Sequence, residues 1–182
     1  VSVEQLENGA ARKDRFRADP KLPRGRRAEL DDYKRSGYDR GHQAPAANQS
    51  RDQALKDETF YLSNMCPQSP GLNQQAWREL EELTRKWVKQ FGTTWQITGP
   101  LFYDPAEDDP ETADGVLEYT AIGKNRVAVP THFFKIVVAR KGDGDWQAIG
   151  FVMENRPYSR PFRFEEYIRP IDWIERRTGL DF

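Results

Sequence analysis

Cysteine, histidine and long apolar runs are all scarce in this sequence. The 182 residues include one cysteine, Cys66, so neither an internal disulfide nor a multi-cysteine metal site can form. We interpret Cys66 as an idle thiol rather than a nucleophile. No stretch approaches the roughly 18 apolar residues of a membrane span, so we predict no membrane association.

The N-terminus, Val1-Ser2-Val3, lacks the basic and then apolar segments of a secretory signal. It also lacks an initiator methionine, so a processed or trimmed chain that has lost an export signal stays an open alternative. The length and the ordinary apolar content of 37% predict one globular domain over residues 1–182.

The net charge of only −1 argues weakly against a nucleic-acid partner, but the charge is unevenly spread. From Arg12 to Arg51 there are twelve Lys and Arg against six Asp and Glu, whereas residues 101–119 hold seven carboxylates and no Lys or Arg. Attraction to phosphate decays over a Debye length of about 8 Å, so the local excess matters more than the total. A phosphate-binding surface and a merely solvated charged surface stay equally open at this point.

The patterns predict an α+β domain built on an antiparallel sheet flanked by helices. Residues 1–35 are predicted to form a basic, irregular N-terminal arm. The clearest helix runs from Gln74 to Phe91, with apolar residues three and four apart and Gly92 as its stop.

Shorter predictions complete this reading of the chain. Strands are predicted at Tyr38 to Pro45 (ending in a loop), Thr59 to Ser63, Trp95 to Gly99, Val116 to Ile122, Val127 to Arg140 and Trp146 to Met153. Short helices are predicted at Gln53 to Asp57, Phe164 to Tyr167 and Ile171 to Arg177. Loops are predicted at Pro67 to Leu72 and, acidic, at Asp104 to Gly115, with a hairpin turn at Asp143-Gly144.

The first candidate site motif is the tetrapeptide Asp39-Arg40-Gly41-His42. His42 can accept a proton near neutral pH, and Arg40 can grip a phosphate through its planar guanidinium. Gly41 permits a close backbone approach or a positive φ. Alone, the tetrapeptide is a weak signal.

Three further features follow within about 40 residues. Asn64 precedes Asn73 by nine positions, and Asn73 stands at the start of the strong helix, where a plain N-cap is the favoured alternative. Glu81 and Arg85 fall at about 40° and 80° from Trp77 on the helical wheel, on the shoulder of the buried face. They are either a simple i,i+4 ion pair or charged groups facing the loop of His42 and Asn73.

Together these segments resemble the DNA/RNA non-specific endonuclease family, most closely its endonuclease G branch. The resemblance rests on Tyr38-Asp-Arg-Gly-His42, Phe60-Tyr-Leu-Ser-Asn-Met-Cys-Pro-Gln68 and Leu72-Asn-Gln-Gln-Ala-Trp77. It continues through Thr98-Gly-Pro-Leu-Phe102 and Val127-Ala-Val-Pro-Thr-His-Phe-Phe-Lys135 to Ile174-Glu-Arg-Arg-Thr-Gly-Leu180. It covers most of the chain from about Phe16, and a chance match of all these segments in order is not credible.

The resemblance implies a ββα-metal fold and a sequence-nonspecific, Mg²⁺-dependent endonuclease for DNA and RNA that leaves 5′-phosphate and 3′-hydroxyl ends. It assigns His42 as general base, Asn73 as the only direct metal ligand, and Glu81 as an acid that reaches the metal through water. Arg40 and Arg85 match arginines that face phosphate, Asn64 an asparagine that supports the site, and Asp39 opens the motif. Arg15 and Arg17 of the poorly matching arm are added as phosphate contacts. Phe60 departs from relatives with Asn there but agrees with the endonuclease G branch.

Other expectations are less direct. Mn²⁺ should substitute for Mg²⁺, since the sequence offers no thiolate or histidine pair for zinc. The second histidine, His132, lies in an apolar strand and is interpreted as structural. The resemblance implies a homodimer and an exported (periplasmic or secreted) or mitochondrial location, with an inhibitor protein open. The alternatives are a catalytically inactive nucleic-acid-binding relative and a structural protein with an accidental motif.

Overall fold

The computed structural model describes residues 1–7, 9–108, 111–142 and 144–182. The helices are α1 (Val3–Leu6), α2 (Leu30–Tyr33), α3 (Gln53–Glu58), α4 (Arg78–Phe91) and α5 (Ile171–Thr178). The strands are β1 (Asp39–His42), β2 (Met65–Gln68), β3 (Thr94–Leu101), β4 (Ala121–Ile122), β5 (Val127–Ala128), β6 (His132–Lys141), β7 (Asp145–Glu154) and β8 (Ile168–Arg169). This mixture of helices and antiparallel strands confirms the predicted α+β class. None of the helices in the described ranges has the length and apolar composition needed to cross a bilayer.

The main sheet has four antiparallel strands in the order β3-β6-β7-β8. It confirms the strands predicted at Trp95 to Gly99 and Trp146 to Met153, and β8 was not predicted. β6 and β7 form a hairpin in which Lys141 pairs with Asp145. Asp143 of the predicted turn lies outside the described residues.

Two predicted strands are wrong in extent. The segment from Val127 to Arg140 is not one strand but β5 and β6, because Pro130 between them has no N–H for a ladder hydrogen bond. From Val116 to Ile122 only β4 is strand, paired with β5. The acidic loop contains a 3₁₀ turn, Pro105–Asp108, and its Asp109 and Pro110 lie outside the described residues.

β1 pairs with β2 to form a separate two-stranded sheet, with His42 opposite Met65. The predicted strand from Thr59 to Ser63 is wrong: a 3₁₀ turn, Leu62–Asn64, occupies its end, and the strand begins only at Met65, six residues later than expected.

The loop predicted at Pro67 to Leu72 is wrong at both ends, because Pro67 lies in β2 and Leu72 begins a helical segment. The carbonyl of Pro67 accepts a hydrogen bond from Asn155 Nδ2 and so points away from β1. In a strand, the nitrogen of a residue points to the same side as its carbonyl, so the missing N–H of Pro67 removes no hydrogen bond to β1.

The predicted helix from Gln74 to Phe91 is confirmed. A π-helical segment, Leu72–Trp77, leads directly into α4, and Gly92 ends it with a φ of 78°. Leu72, Trp77 and Leu80 are buried against Phe133 and other residues of one sheet face. On the opposite face, α5 packs Ile174 against the sheet in a second core.

The arm of residues 1–35 is mostly irregular as predicted, apart from α1 and α2. It is nevertheless anchored: Lys56 Nζ donates to the carbonyl of Ala10 at 2.7 Å, and Arg17 forms a parallel bridge with Tyr61. A third core, of Tyr33, Leu62, Met65, Ile122 and Val129, fixes α2 beside the two-stranded sheets. The arm and α2 are therefore held next to β1.

The Asn155 side chain ties three segments together. Its Nδ2 donates to the carbonyls of Pro67 and Pro130 at 3.0 and 2.9 Å, and its Oδ1 accepts from the N–H of Ser69 at 2.7 Å. These contacts join the end of β2 and the start of the long helix to the β5–β6 connection.

We expect Asn155→Ala to lower the free energy of unfolding by about 2–4 kcal/mol, because it removes three hydrogen bonds and leaves partners unsatisfied. Urea unfolding followed by circular dichroism measures this. Gln90→Ala, at an exposed position of α4, serves as control and should change stability by no more than about 0.5 kcal/mol. Equal effects of the two changes would contradict the role given to Asn155.

Candidate active site

β1, the π-helical segment, α4, α2 and the N-terminal arm surround one cavity of about 840 Å³. Six of the predicted site residues line it: Asp39, Arg40, His42, Asn73, Glu81 and Arg85. Three further basic residues also line it: Arg12, Lys34 and Arg78. The structure therefore brings together the predicted site residues of three separate sequence motifs. Asn64 does not line this cavity but contacts the backbone of Ala44, two residues after His42.

His42 ends β1 with its ring held in an aromatic setting. Phe60 and Phe16 meet the imidazole edge to face, with ring centroids 5.0 and 5.7 Å away. Burial, and then the positive charge of Arg12, lowers the pKa of His42 to about 4. The ring is thus neutral at pH 7 and able to accept a proton. Its Nε2 is buried and has no hydrogen-bond partner within the described part of the chain.

Asn64 and Gly41 set the path of the chain around His42. Asn64 Oδ1 accepts from the N–H of Ala44, and its Nδ2 donates to the carbonyls of Ala44 and Thr59. A Cβ at Gly41 would stand 2.2 Å from Gln68 Oε1, so the predicted close approach, not a positive φ, explains the glycine. Asn64 acts on the backbone that follows the histidine.

Asn73 lies inside the helix, and its interpretation as an N-cap is wrong. Its N–H donates to the carbonyl of Ser69 at 2.8 Å, and its Nδ2 donates to Asp39 Oδ2 at 2.8 Å. Gln74 Nε2 donates to the same oxygen at 2.8 Å. An ionised carboxylate only accepts, so Asp39 must face the nitrogen of the Asn73 amide. Asn73 Oδ1 is left on the other side of the amide as a candidate ligand.

Glu81 and Arg85 lie one helical turn apart on α4, largely buried as the helical wheel predicts. Their side chains are 15% and 19% exposed, and Arg85 Nη1 is 3.9 Å from Glu81 Oε2. Burial raises the pKa of Glu81, and the charges of Lys135 and Arg85 oppose that rise. Arg85 Nη1 also lies 3.5 Å from Asn48 Oδ1. Both charged groups line the cavity, which the simple surface ion pair would not require.

The arginines predicted to contact phosphate do not all line the cavity. Arg40 stacks over Phe16 at 4.1 Å and lines the cavity. Arg15 and Arg17 do not line it; Arg17 stacks over Tyr61 at 4.1 Å instead. Arg12, which sequence reasoning missed, takes a place in the wall. The local excess of basic residues signalled such a contact, but the choice among neighbouring arginines depends on the path of the arm.

His132 and Cys66 stand apart from this cavity. His132 Nδ1 is 3.0 Å from Thr131 Oγ1, and burial lowers its pKa. Burial raises the pKa of the Cys66 thiol to about 12, so the thiolate nucleophile is disfavoured. Both observations agree with the structural interpretations of these residues.

The donor set of the cavity suits a hard cation. Asn73 offers an amide oxygen and Glu81 a carboxylate, which are the ligand types of Mg²⁺. Within the described ranges, no group of three or more His, Cys, Asp or Glu side chains could enclose a metal. A cation held by one or two protein oxygens and otherwise by water fits these residues.

Known proteins share this sequence and architecture. The profile of the family described as DNA/RNA non-specific endonuclease matches residues 2–182. Human mitochondrial endonuclease G (Homo sapiens) is 41% identical over 186 residues, covering 99% of this chain and 62% of its own length. The mitochondrial nuclease of Saccharomyces cerevisiae is 42% identical over 173 residues, covering 91% of this chain and 52% of its own. The chain thus spans about half to two thirds of the length of these relatives.

A solved structure shows the same fold. The crystal structure of the EndoG/EndoGI complex, described as showing the mechanism of EndoG inhibition, matches with a TM-score of 0.91 and 37% identity. The match covers 100% of this chain and 75% of the other. With a family profile across nearly every residue and relatives above 40% identity, the chain belongs to the DNA/RNA non-specific endonuclease family.

Proposed function

We propose that this chain forms one nuclease domain over residues 1–182. It hydrolyses phosphodiester bonds of DNA and RNA without sequence specificity, depends on Mg²⁺, and leaves 5′-phosphate and 3′-hydroxyl ends. One observation carries the proposal: a neutral, buried imidazole and an amide oxygen fixed by a carboxylate line the same arginine-bearing cavity. Family membership supports the same chemistry.

His42 is the proposed general base. Its lowered pKa keeps the ring unprotonated at pH 7, so it can take the proton of the attacking water. Phe16 and Phe60 hold the ring in place, and Asn64 fixes the segment that follows it. Phe16, Phe60 and Asn64 therefore position the base and do not themselves react.

Asn73 is the proposed direct ligand of Mg²⁺, and Glu81 the residue that reaches it through water. When bound, the cation would act as a Lewis acid on the phosphate and stabilise the leaving oxygen. Asp39 orients the Asn73 amide, and Arg85 sits beside the Glu81 carboxylate. Mn²⁺ should substitute, because the donors are oxygens in both cases.

Phosphate contacts account for the breadth of substrate. Arg40, Arg85 and Arg12 line the cavity and can bind backbone oxygens, which carry no sequence information. Arg15 and Arg17 lie outside the cavity and would meet phosphates farther along the strand. We assign no residue to recognition of the ribose 2′-hydroxyl, so DNA and RNA are both proposed substrates.

Partners and location follow from the relatives. We propose a homodimer, as expected for the endonuclease G branch, and a mitochondrial setting in line with the two mitochondrial relatives, with export as the alternative. The structural neighbour was solved as a complex concerned with inhibition, which supports the proposal that a protein inhibitor could act on this chain as well.

The general base is tested by nicking of supercoiled plasmid and digestion of single-stranded RNA, each with Mg²⁺ and with EDTA. Wild type should degrade both substrates only with metal, and His42→Ala should lose at least about 100-fold in rate. His132→Ala removes the other imidazole and should keep most of the activity. A wild type that binds DNA but is inert with Mg²⁺ and Mn²⁺ would instead be an inactive binding relative.

The role of Asn73 as metal ligand is tested by removing Asp39, the carboxylate that orients its amide. We expect Asp39→Ala to raise the Mg²⁺ concentration for half-maximal nicking by about 10- to 100-fold, because the Asn73 amide is no longer held. Gln74→Ala removes the other donor to Asp39 and serves as the matched control, with a much smaller shift. If Asp39→Ala needs no more Mg²⁺ than Gln74→Ala, the amide orientation does not govern metal binding.

A further inference from the structure

Lys135 is a fully buried cation that the mechanism above does not use. It lies within β6, paired with Thr98 of β3 on one side and Phe151 of β7 on the other. Its exposed fraction is 0%. Lysine is almost never fully buried unless it is paired, because the ammonium loses its hydration. A lysine at this position therefore indicates a specific partner.

The side chain of Lys135 is directed at the helix that carries the site. Alternation along β6 puts it on the same face as Phe133, which packs against Leu72 and Trp77. Lys135 Nζ lies 5.4 Å from the centroid of the Trp77 ring. Trp77 and Glu81 are four residues apart and so share one face of the helix. The ammonium thus lies beneath the turn that bears Glu81.

Hydrogen bonding alone does not balance this charge. Lys135 Nζ donates to Thr98 Oγ1 at 2.7 Å, and an ammonium has three donors. A neutral hydroxyl leaves the positive charge uncompensated. The Glu81 carboxylate raises the pKa of Lys135, and the Lys135 ammonium opposes the rise that burial causes in the pKa of Glu81. Within the described residues, the ion pair that Glu81 forms at 4.0 Å or less is with Arg85, so Lys135 acts on it from a greater distance.

Other charges around the pair act in both directions. Arg85 and Arg12 favour the charged form of Glu81, whereas Glu82 disfavours it. Arg85 also disfavours the charged form of Lys135. Burial lowers the pKa of Lys135 to about 8, so the ammonium is still largely protonated at pH 7. Lys135 is fully buried beside Trp77 beneath the helix, whereas Glu81, one turn further on, lines the cavity.

We propose that Lys135 is a positioning residue for Glu81. Its buried ammonium supplies an opposite charge from beneath the helix and holds Glu81 as an anion directed at the cavity. There the carboxylate would accept hydrogen bonds from the water of a bound cation. This inference rests on the proposed function and deepens the role given there to Glu81.

The first test is a double-mutant cycle in metal-free buffer containing EDTA. Urea unfolding compares wild type, Lys135→Met, Glu81→Gln and the double variant. Methionine removes the charge but keeps an unbranched apolar chain. Lys135→Met should lower the unfolding midpoint in the wild type and raise it in the Glu81→Gln background, where it removes an unpaired buried charge. Equal shifts in the two backgrounds would overturn the inference.

The second test measures the Mg²⁺ requirement of plasmid nicking. Lys135→Met should need about 10-fold more Mg²⁺ for half-maximal rate, as expected when an outer-shell partner is lost. Val137→Ala, a buried position on the same face of β6, is the matched control for loss of packing and should leave the Mg²⁺ requirement unchanged. A shift of the same size in both variants would show that Lys135 acts only through stability.

Failure of the Lys135→Met variant to fold is informative as well. If Lys135→Met does not fold but the double variant does, the coupling is present in its strongest form and the inference is supported. If neither folds, Glu81→Gln carries the test, because it leaves the buried ammonium without its counter-charge. It should lower the free energy of unfolding by more than Glu82→Gln at an exposed position of the same helix, and equal effects of the two changes overturn the inference. An inactive wild type would reject the proposed function, whereas the unfolding cycle reports on the pair without activity.

Discussion

The hydrogen bond from Asn73 Nδ2 to Asp39 Oδ2 joins the two motifs on which the site is built. β1 brings Asp39 and His42 on one strand, and the long helix brings Asn73 and Glu81 on its first turns. Because the carboxylate can only accept, it decides which end of the Asn73 amide faces the cavity. The relative placement of the proposed base, His42, and the proposed ligand, Asn73, therefore depends on this contact and on the register of β1 with β2.

Burial determines the chemical state of the groups around that contact. The same low-polarity surroundings keep His42 neutral and penalise the charge of Glu81. A neutral imidazole needs no counter-charge, whereas an ionised carboxylate does, and the charges of Lys135 and Arg85 both favour the ionised form of Glu81. The core beneath the helix is thus part of the electrostatics of the site as well as its support.

The sequence predicted much of the fold because several signals were strong and local. The helix ending at Gly92 followed from its apolar periodicity, and the strands of the hairpin from their composition. The same composition failed at Thr59 to Ser63, where the chain turns and the strand begins only at Met65. Periodicity also cannot show the π-helical segment, which changes the hydrogen bonding around Asn73 while keeping the apolar side buried.

Some residues of the site could be predicted from the sequence, and others could not. His42, Asn73, Glu81 and Arg85 stand in short motifs and were found from the sequence, and the structure places all four around one cavity. Arg12 and Lys135 belong to no motif of the site. Their places depend on how the arm is anchored by Lys56 and how β6 packs under the helix, contacts between residues far apart in sequence.

A crystal of the protein soaked in Mn²⁺ and measured at the manganese absorption edge tests the central claim most directly. The account predicts one anomalous peak within bonding distance of Asn73 Oδ1, with Asp39 still bound to the amide nitrogen and Glu81 separated from the ion by water. A peak bonded directly to the carboxylate of Asp39 or Glu81, with Asn73 turned away, would contradict it.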